Sequence, residues 1–263
     1  MNTPSFSVVL VNYKTPEITR ICLELLREPA QRLGFPVWVV DNDSADASTE
    51  YLRSLDWIRL LERKPAAGEP GFMAHGHALD MVLERTTTDY LFLLHTDTFV
   101  YDPTIFDIML HECERQDAIA AGCVDQIPRS WLHANLRFLA RYIKHQFRRL
   151  KLAVGIKTRP PRPYREEYLN SFCSLWRLAP LKEHNWTFAM DGKIPSYAIQ
   201  DRLAAAGYKV ARISAHTIFR YLDHMEAGTV AAGGGYHANH PRTKRYLAML
   251  DKHRSKVDAG RGQ

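Results

Sequence analysis

Residues 90–98 read YLFLLHTDT: five apolar residues from Tyr90 to Leu94, followed at once by His95, Thr96, Asp97 and Thr98. A run this apolar, with no polar alternation, predicts a strand buried on both faces, as in a parallel sheet covered by helices. Its polar end then falls beyond the carboxyl edge of the sheet, where open α/β sheets bind ligands. Asp97 ends that strand, and a carboxylate in such a place is suited to a cation or a phosphate-bearing ligand.

The pattern repeats outward from this strand. SVVLV (Ser7–Val11) and VWVV (Val37–Val40) are two more buried strands, and Thr15 and Pro16 between them open a helix with Ile18, Ile21, Cys22, Leu25 and Leu26 on one face. Trp57–Leu61 predicts a further strand, His77–Arg85 a short helix, Ile105–Arg115 another helix and Ala118–Val124 a strand. Strands alternating with helices imply a mostly parallel sheet with crossover connections. Asn170–Arg177 resumes a strand pattern. Pro195 starts a helix that Gly207 ends, and Tyr208–Ile213 is a last strand. The tail from His216 reads as loop-rich, with frayed residues from about Ser255 and a loop and a helix over 226–263. The N-terminal residues MNTPSFSVVLVNY read as a first strand and not as a signal peptide.

Charge is concentrated in one place. Of the 35 Lys and Arg, eleven lie between Arg129 and Arg165, a stretch with no Asp or Glu; the other 24 face 29 acids. The net charge of +6 therefore belongs to a single segment. Within it Leu132, Leu136, Leu139, Ile143, Phe147, Leu150 and Val154 recur every three or four residues, which predicts an amphipathic helix with a cationic opposite face, broken at TRPPRPY (158–164). Three readings are open: a helix packed on the domain with solvated charges, a surface lying on anionic lipid, and a nucleic-acid face, ranked last because no recognised motif accompanies it. No apolar run approaches the ~20 residues that cross a bilayer. The four scattered cysteines have no metal-ligand spacing and read as reduced core thiols of a cytoplasmic protein.

Polar clusters follow the strands at Asp41–Asp46 (DNDSAD), at His95–Thr98 and around Asp191. Oxygen ligands there suit Mg²⁺ or Mn²⁺ held between protein and diphosphate. The alternative for Asp41, Asp43 and Asp46 is that they cap turns and the next helix.

The order SVVLVNYKTPE, VVDNDSAD, GFMAHGHALD, DYLFLLHTDT resembles the family 2 glycosyltransferases of the GT-A fold, of the bacterial, rhamnosyltransferase-like kind, over about residues 5–125 and more weakly to about 225. The resemblance implies a single α/β domain with an open, mostly parallel sheet flanked by helices: a nucleotide-binding half (1–125), a basic helical insertion (126–168), an acceptor-side half (169–225) and the C-terminal tail. It implies transfer of a sugar, with inversion, from a nucleoside diphosphate sugar to a hydroxyl of a glycan or lipid-linked acceptor, assisted by Mn²⁺ or Mg²⁺, in the cytoplasm at the inner face of the membrane, as in polysaccharide biosynthesis. Tyr13 and Asp41 would hold the base, with Asp43 beside them. Asp97 would grip the metal and diphosphate. His95 stands where the family's metal motif often has a second acid, so a late His would complete the site: His224 in YLDHMEAGT, ahead of His216. His75 falls where the family's loop approaches the sugar diphosphate, and a solvated loop His is the alternative.

Inverting transfer needs a carboxylate that takes the acceptor's proton. The family's ED dipeptide before the helix ending in Gly207-Tyr208 is absent, and Asp191, near the positive end of that helix, takes its place as candidate base. The glycines at 233–235 fit either a lid over the donor or a solvent-exposed linker. Two rivals stand beside this reading. A nucleotidyltransferase would want a Gly-rich phosphate loop after the first strand, which NYKTPE lacks. A non-catalytic nucleotide-sugar-binding scaffold would fit the missing acids.

Overall fold

The computed structural model describes residues 4–260 except 129, 162–166, 226–227, 234, 236 and 238. Arg129, Arg162 and Arg165 of the basic run, residues 162–164 of the proline-rich stretch and Gly234 lie outside the described residues.

The chain begins β1 (Phe6–Asn12), α1 (Pro16–Leu33), β2 (Val37–Asp41), α2 (Ala47–Arg53), β3 (Ile58–Glu62), α3 (Gly71–Arg85) and β4 (Tyr90–His95). Then come β5 (Thr98–Val100), α4 (Thr104–Arg115), β6 (Ala118–Gly122), α5 (Trp131–Ala153), β7 (Cys173–Arg177), α6 (Leu178–Glu183), a short 3₁₀ turn at Met190–Gly192 and α7 (Tyr197–Ala205). The chain closes with β8 (Lys209–Arg212), α8 (Ala215–Ile218), β9 (Leu222–His224), α9 (Gly228–Ala232) and α10 (Pro241–Gly260). Seven strands form one sheet in the order β3-β2-β1-β4-β7-β6-β8, parallel except for β7, which runs antiparallel to β4 and β6. This is the expected open, mostly parallel α/β sheet.

The apolar runs explain the layering. Alternate residues of a strand face opposite sides, so Val8, Leu10, Phe92 and Leu94 pack under α1 and α4, while Val9, Leu91 and Leu93 pack under α3, α6 and α7. Phe92 is fully buried and meets Phe6 and Phe106 edge-on at ring-centroid separations of 5.1 and 5.0 Å. Pro16 starts α1, and Gly34, at φ 72°, ends it by donating its N–H to the Ala30 carbonyl, a left-handed cap that glycine adopts without strain.

Two expectations are revised. α3 starts at Gly71, six residues before His77, because Pro70 in extended backbone sets its entry and no residue after it breaks the helix. The tail is more ordered than its composition suggests: β9 pairs with β5, and the expected C-terminal helix, α10, runs for 20 residues, past Ser255 where fraying was expected. Leu250 and Val257 anchor α10 in the core, and its Arg254 reaches Glu17 on α1. All four cysteines are buried and free.

Candidate metal and nucleotide site

β4 lies between β1 and β7 at the middle of the sheet, so its carboxyl end delivers His95 and Asp97 to the sheet's edge. Immediately after it, β5 pairs antiparallel with β9, with Thr98 opposite His224, and the Met225 N–H donates to the Asp97 carbonyl at 3.0 Å. This two-stranded pairing brings a residue 127 positions later onto Asp97. His224 Nε2 lies 3.3 Å from Asp97 Oδ1, and His95 Nδ1 lies 3.8 Å from the same oxygen. One ligand atom from each of His95, Asp97 and His224 falls within 4.8 Å of the others.

The surroundings orient these groups. His224 Nδ1 donates to the Gln126 carbonyl at 2.9 Å, which leaves Nε2 as the atom aimed at Asp97; it is buried and has no hydrogen-bond partner. An imidazole held by a backbone carbonyl through one nitrogen and open at the other is the usual arrangement of a metal ligand. The Phe172 ring stacks on His224 at 4.4 Å and fixes its plane. His95 Nε2 meets Ser171 Oγ at 2.9 Å, so its Nδ1 faces Asp97. The Gly228 N–H donates to Asp97 Oδ2 at 2.9 Å, and a Cβ on Gly228 would stand 2.7 Å from the Asp97 Cβ.

Burial pushes the Asp97 carboxyl up, but His224, His95 and the Gly228 N–H together outweigh it and hold the group below the ordinary carboxylate range. Burial, opposed by Asp97 and aided by His224, lowers His95 to about 4. Burial and the neighbouring His95 lower His75 to about 3. A carboxylate kept ionised out of water needs a positive partner, and an imidazole nitrogen can join it in holding one. The residues therefore fit a divalent cation with mixed N and O ligands.

These groups open on a cavity of about 680 Å³ at the carboxyl edge of the sheet. His75 lies on its wall, with Nε2 buried and unpartnered and its ring edge-on to His95 at 5.2 Å. Gly71, Phe72, Ala74 and His75 belong to the first turns of α3, whose N-terminus has no side-chain cap and no acid in its first turn. Its unpaired N–H groups and positive dipole end suit an anion. Tyr13, 46% exposed just beyond β1, lines another wall, with Lys14 Nζ 5.3 Å from its ring centroid. Glu69 closes the rim: its side chain pairs with Arg63 at 2.7 Å and also contacts His77. The Arg63 guanidinium holds its carboxyl down at about 2, against the opposing effect of burial.

Of the residues singled out from the sequence, Tyr13, His75, His95, Asp97 and His224 meet in this one cavity. Asp41 stands behind the wall. Its Oδ1 accepts from Asn12 Nδ2 at 2.7 Å and its Oδ2 from Thr49 Oγ1 at 2.8 Å, and its neighbour Asn42 is the residue on the cavity. Asp43 is exposed at φ 62° and off the wall, and Asp46 caps α2 through the Ser48 N–H. Asp191 is also off the wall: it pairs with Arg202 on α7 at 3.2 Å, and Ile194 and Pro195 line the cavity instead. The sequence reading missed Gln126, Glu69, Ser171 and Gly228. Only Gly228, in the HMEAGT run after His224, had a legible signal.

A family model described as glycosyl transferase family 2 matches residues 7–172. No curated protein matches the chain. Among solved structures it is similar to a mannosyltransferase from Pyrobaculum calidifontis, PcManGT, in complex with GDP-Man and Mn²⁺, with a TM-score of 0.56 and 16% identity over 81% of this chain and 55% of that one. It therefore spans about half the length of that enzyme. It is also similar to glucosyl-3-phosphoglycerate synthase from Mycobacterium tuberculosis in complex with phosphoglyceric acid, with a TM-score of 0.52 and 19% identity over 80% of this chain and 70% of that one. The same synthase with Mn²⁺, UDP and glucosyl-3-phosphoglycerate gives a TM-score of 0.50 at 17% identity, over 80% of this chain and 70% of that one. At these identities the likeness is one of fold.

Proposed function

The chain belongs to glycosyl transferase family 2, and from that premise we propose that it moves a sugar from a nucleoside diphosphate sugar to an acceptor hydroxyl on a glycan or lipid-linked glycan. One observation carries the reading: His95, Asp97 and His224 converge, with a buried unpartnered imidazole nitrogen among them, on a cavity that also holds an open helix N-terminus and an exposed tyrosine.

His95, Asp97 and His224 would hold a divalent cation. Such a cation, when bound, neutralises charge on the diphosphate and eases its departure as leaving group. The chain's own groups do the rest. The first N–H groups of α3 meet diphosphate oxygens, and His75 is positioned to donate a hydrogen bond to them. The Tyr13 ring offers a face for the nucleobase. Asp41 braces that wall from behind through Asn12 and Thr49, while Asn42 presents its amide to the cavity. Two imidazoles in the set favour Mn²⁺ over Mg²⁺, because magnesium prefers oxygen ligands and imidazole suits later metals.

Inversion, which the family resemblance implies, requires an acid to take the acceptor's proton. Glu69 is on the wall, but its pairing with Arg63 makes it a poor proton acceptor near neutral pH. Asp191 precedes α7 and would have to leave Arg202 to serve. Asp191→Asn decides its role. Loss of transfer with nucleotide binding intact keeps Asp191 as the base, and full activity removes it.

The reading as a whole is tested by thermal shift with UDP, GDP, dTDP and their sugars, with and without Mn²⁺. A bound ligand adds about RT ln(1 + [L]/Kd) to stability, ~2.7 kcal/mol at a hundredfold excess over Kd, and so raises the melting temperature. At least one nucleoside diphosphate should stabilise the protein, more so with Mn²⁺. No response to any of them would end the proposal.

A further inference from the structure

The pairing that carries His224 to Asp97 joins two strands of three residues each, β5 and β9. A ribbon that short is marginal in water by itself, so its place is set by what packs behind it. Successive residues of a strand face opposite sides: His224 lines the cavity, and Asp223 turns to α10. β5 is tied to α1, where Cys22 Sγ donates to the Thr98 carbonyl at 3.3 Å. β9 is tied to α10. His253 Nε2 donates to Asp223 Oδ2 at 2.9 Å, and Arg245 Nη2 donates to the His224 backbone carbonyl at 3.0 Å. The His253 ring also packs on Phe99, the residue opposite Asp223 in the ribbon, with 4.7 Å between ring centroids. Lys252, beside it on α10, reaches the same Asp223 oxygen.

Packing alone does not account for a histidine at position 253. The residue is fully buried, and its Nδ1 is buried with no hydrogen-bond partner. An unpaired polar atom out of water is costly, and an aliphatic side chain of similar size would fill the space without it. The hydrogen bond that His253 does make goes to the neighbour of a proposed metal ligand.

We propose that His253 is a positioning residue of the metal site: by holding Asp223 it fixes β9, and with it the approach of His224 Nε2 to Asp97. The inference rests on the reading of His95, Asp97 and His224 as metal ligands. Without that hydrogen bond Asp223 is left to Lys252, a half-exposed ammonium on a flexible stem, and the strand can shift. A binding constellation has to be held within about 0.5 Å of its productive geometry, so a small displacement of β9 is enough to weaken the site.

Two variants separate positioning from packing. His253→Leu keeps the volume and removes the donor, while His253→Gln keeps a donor near the position of Nε2. Each is titrated with Mn²⁺, followed by electron paramagnetic resonance, and melted beside the parent. The leucine variant should bind Mn²⁺ about tenfold more weakly, the lower end of the range for groups that orient ligands, with a melting temperature at or above the parent's. The glutamine variant should bind nearly as the parent does. A second readout needs no metal. In protein carrying nitrogen-15-labelled histidine, the His224 resonances, identified by their loss in His224→Ala, should show a proton fixed on Nδ1, as its bond to the Gln126 carbonyl requires. They should shift or broaden in the leucine variant and return in the glutamine one. The inference is overturned if His253→Leu binds Mn²⁺ as tightly as the parent, or if the His224 resonances stay where they were. It is overturned too if weaker binding comes with a lowered melting temperature and glutamine restores neither, the mark of a merely structural residue. Should the leucine variant fail to fold, Asp223→Ala, at a partly exposed position, breaks the same bond from the other side and should give the same loss and the same change at His224. A parent protein that binds no Mn²⁺ brings down the metal reading and this inference together; a parent that binds it, with variants that match, brings down the inference alone.

Discussion

At Asp97 a buried carboxylate faces two imidazoles and one backbone N–H, and the donor of that N–H leaves no room for a methyl group. Gly228→Ala would set a carbon 2.7 Å from the Asp97 Cβ and 2.9 Å from Oδ2, so the carboxylate must move. The expected result is at least a tenfold loss of Mn²⁺ affinity by titration, with the urea midpoint shifted far less than by a core truncation. His224→Ala should cost ten- to a hundredfold in the same titration, the range usual for groups that hold or orient a metal. At this scale the sequence was informative where chemistry and position coincide. Asp97 ends a strand buried on both faces, and His224 sits in a segment whose resemblance marked it. It did not show that Asp41 and Asp191 stand off the cavity wall, because residue type does not reveal partners. Asn12 and Thr49 occupy both oxygens of Asp41, and Arg202 pairs with Asp191. Glu69 was invisible for the same reason: its importance comes from a cavity that exists only once α3 is placed.

Among the elements, α3 does two tasks. Its N-terminus opens on the cavity, and farther along it Asp80 accepts N–H bonds from Phe188 and Ala189, fastening the segment that leads to Ile194 and Pro195 on the cavity wall. The close fit shows at Gly76, where a Cβ would touch Ala189 at 3.0 Å. Burial outweighs those two N–H bonds and raises the Asp80 carboxyl to about 6, above its ordinary value of 3.8. The folded state therefore binds this proton more tightly than the unfolded chain. Its contribution to stability is fully present below pH ~4 and is lost as pH rises through about 6, by at most ~3 kcal/mol. Asp80→Asn should flatten the fall of the melting temperature over that window; an unchanged pH profile would show that another group is responsible. The short pairing of β5 with β9 was the least legible element. Three-residue strands carry too few positions for a pattern, yet this pairing brings His224 to Asp97. The helix expected in the C-terminal tail is present as α10, but its extent past Ser255 was hidden, because a polar helix held by few buried residues resembles a frayed end.

Across the whole molecule the apolar strand runs were enough to give the sheet, since VVL, VWVV and YLFLL can be satisfied only by burial on both faces. Phe92, fully buried between Phe6 and Phe106, measures that core. Phe92→Ala should cost about 3–5 kcal/mol, read from the urea midpoint at unchanged slope. The site depends on this sheet for its placement. The antiparallel β7 was not legible, because pairing direction is set by the connection through 126–172 and not by the strand's own residues.

The central claim is that His95, Asp97 and His224 together hold one divalent cation against a diphosphate. The most direct measurement is electron paramagnetic resonance of Mn²⁺, whose free-ion signal falls on binding, titrated with the protein in the presence of UDP or GDP. The account predicts one Mn²⁺ bound per chain, abolished by Asp97→Ala and by His224→Ala in proteins that melt like the parent. A signal unchanged by the parent protein with either nucleotide, or equal binding by the two variants, would contradict it.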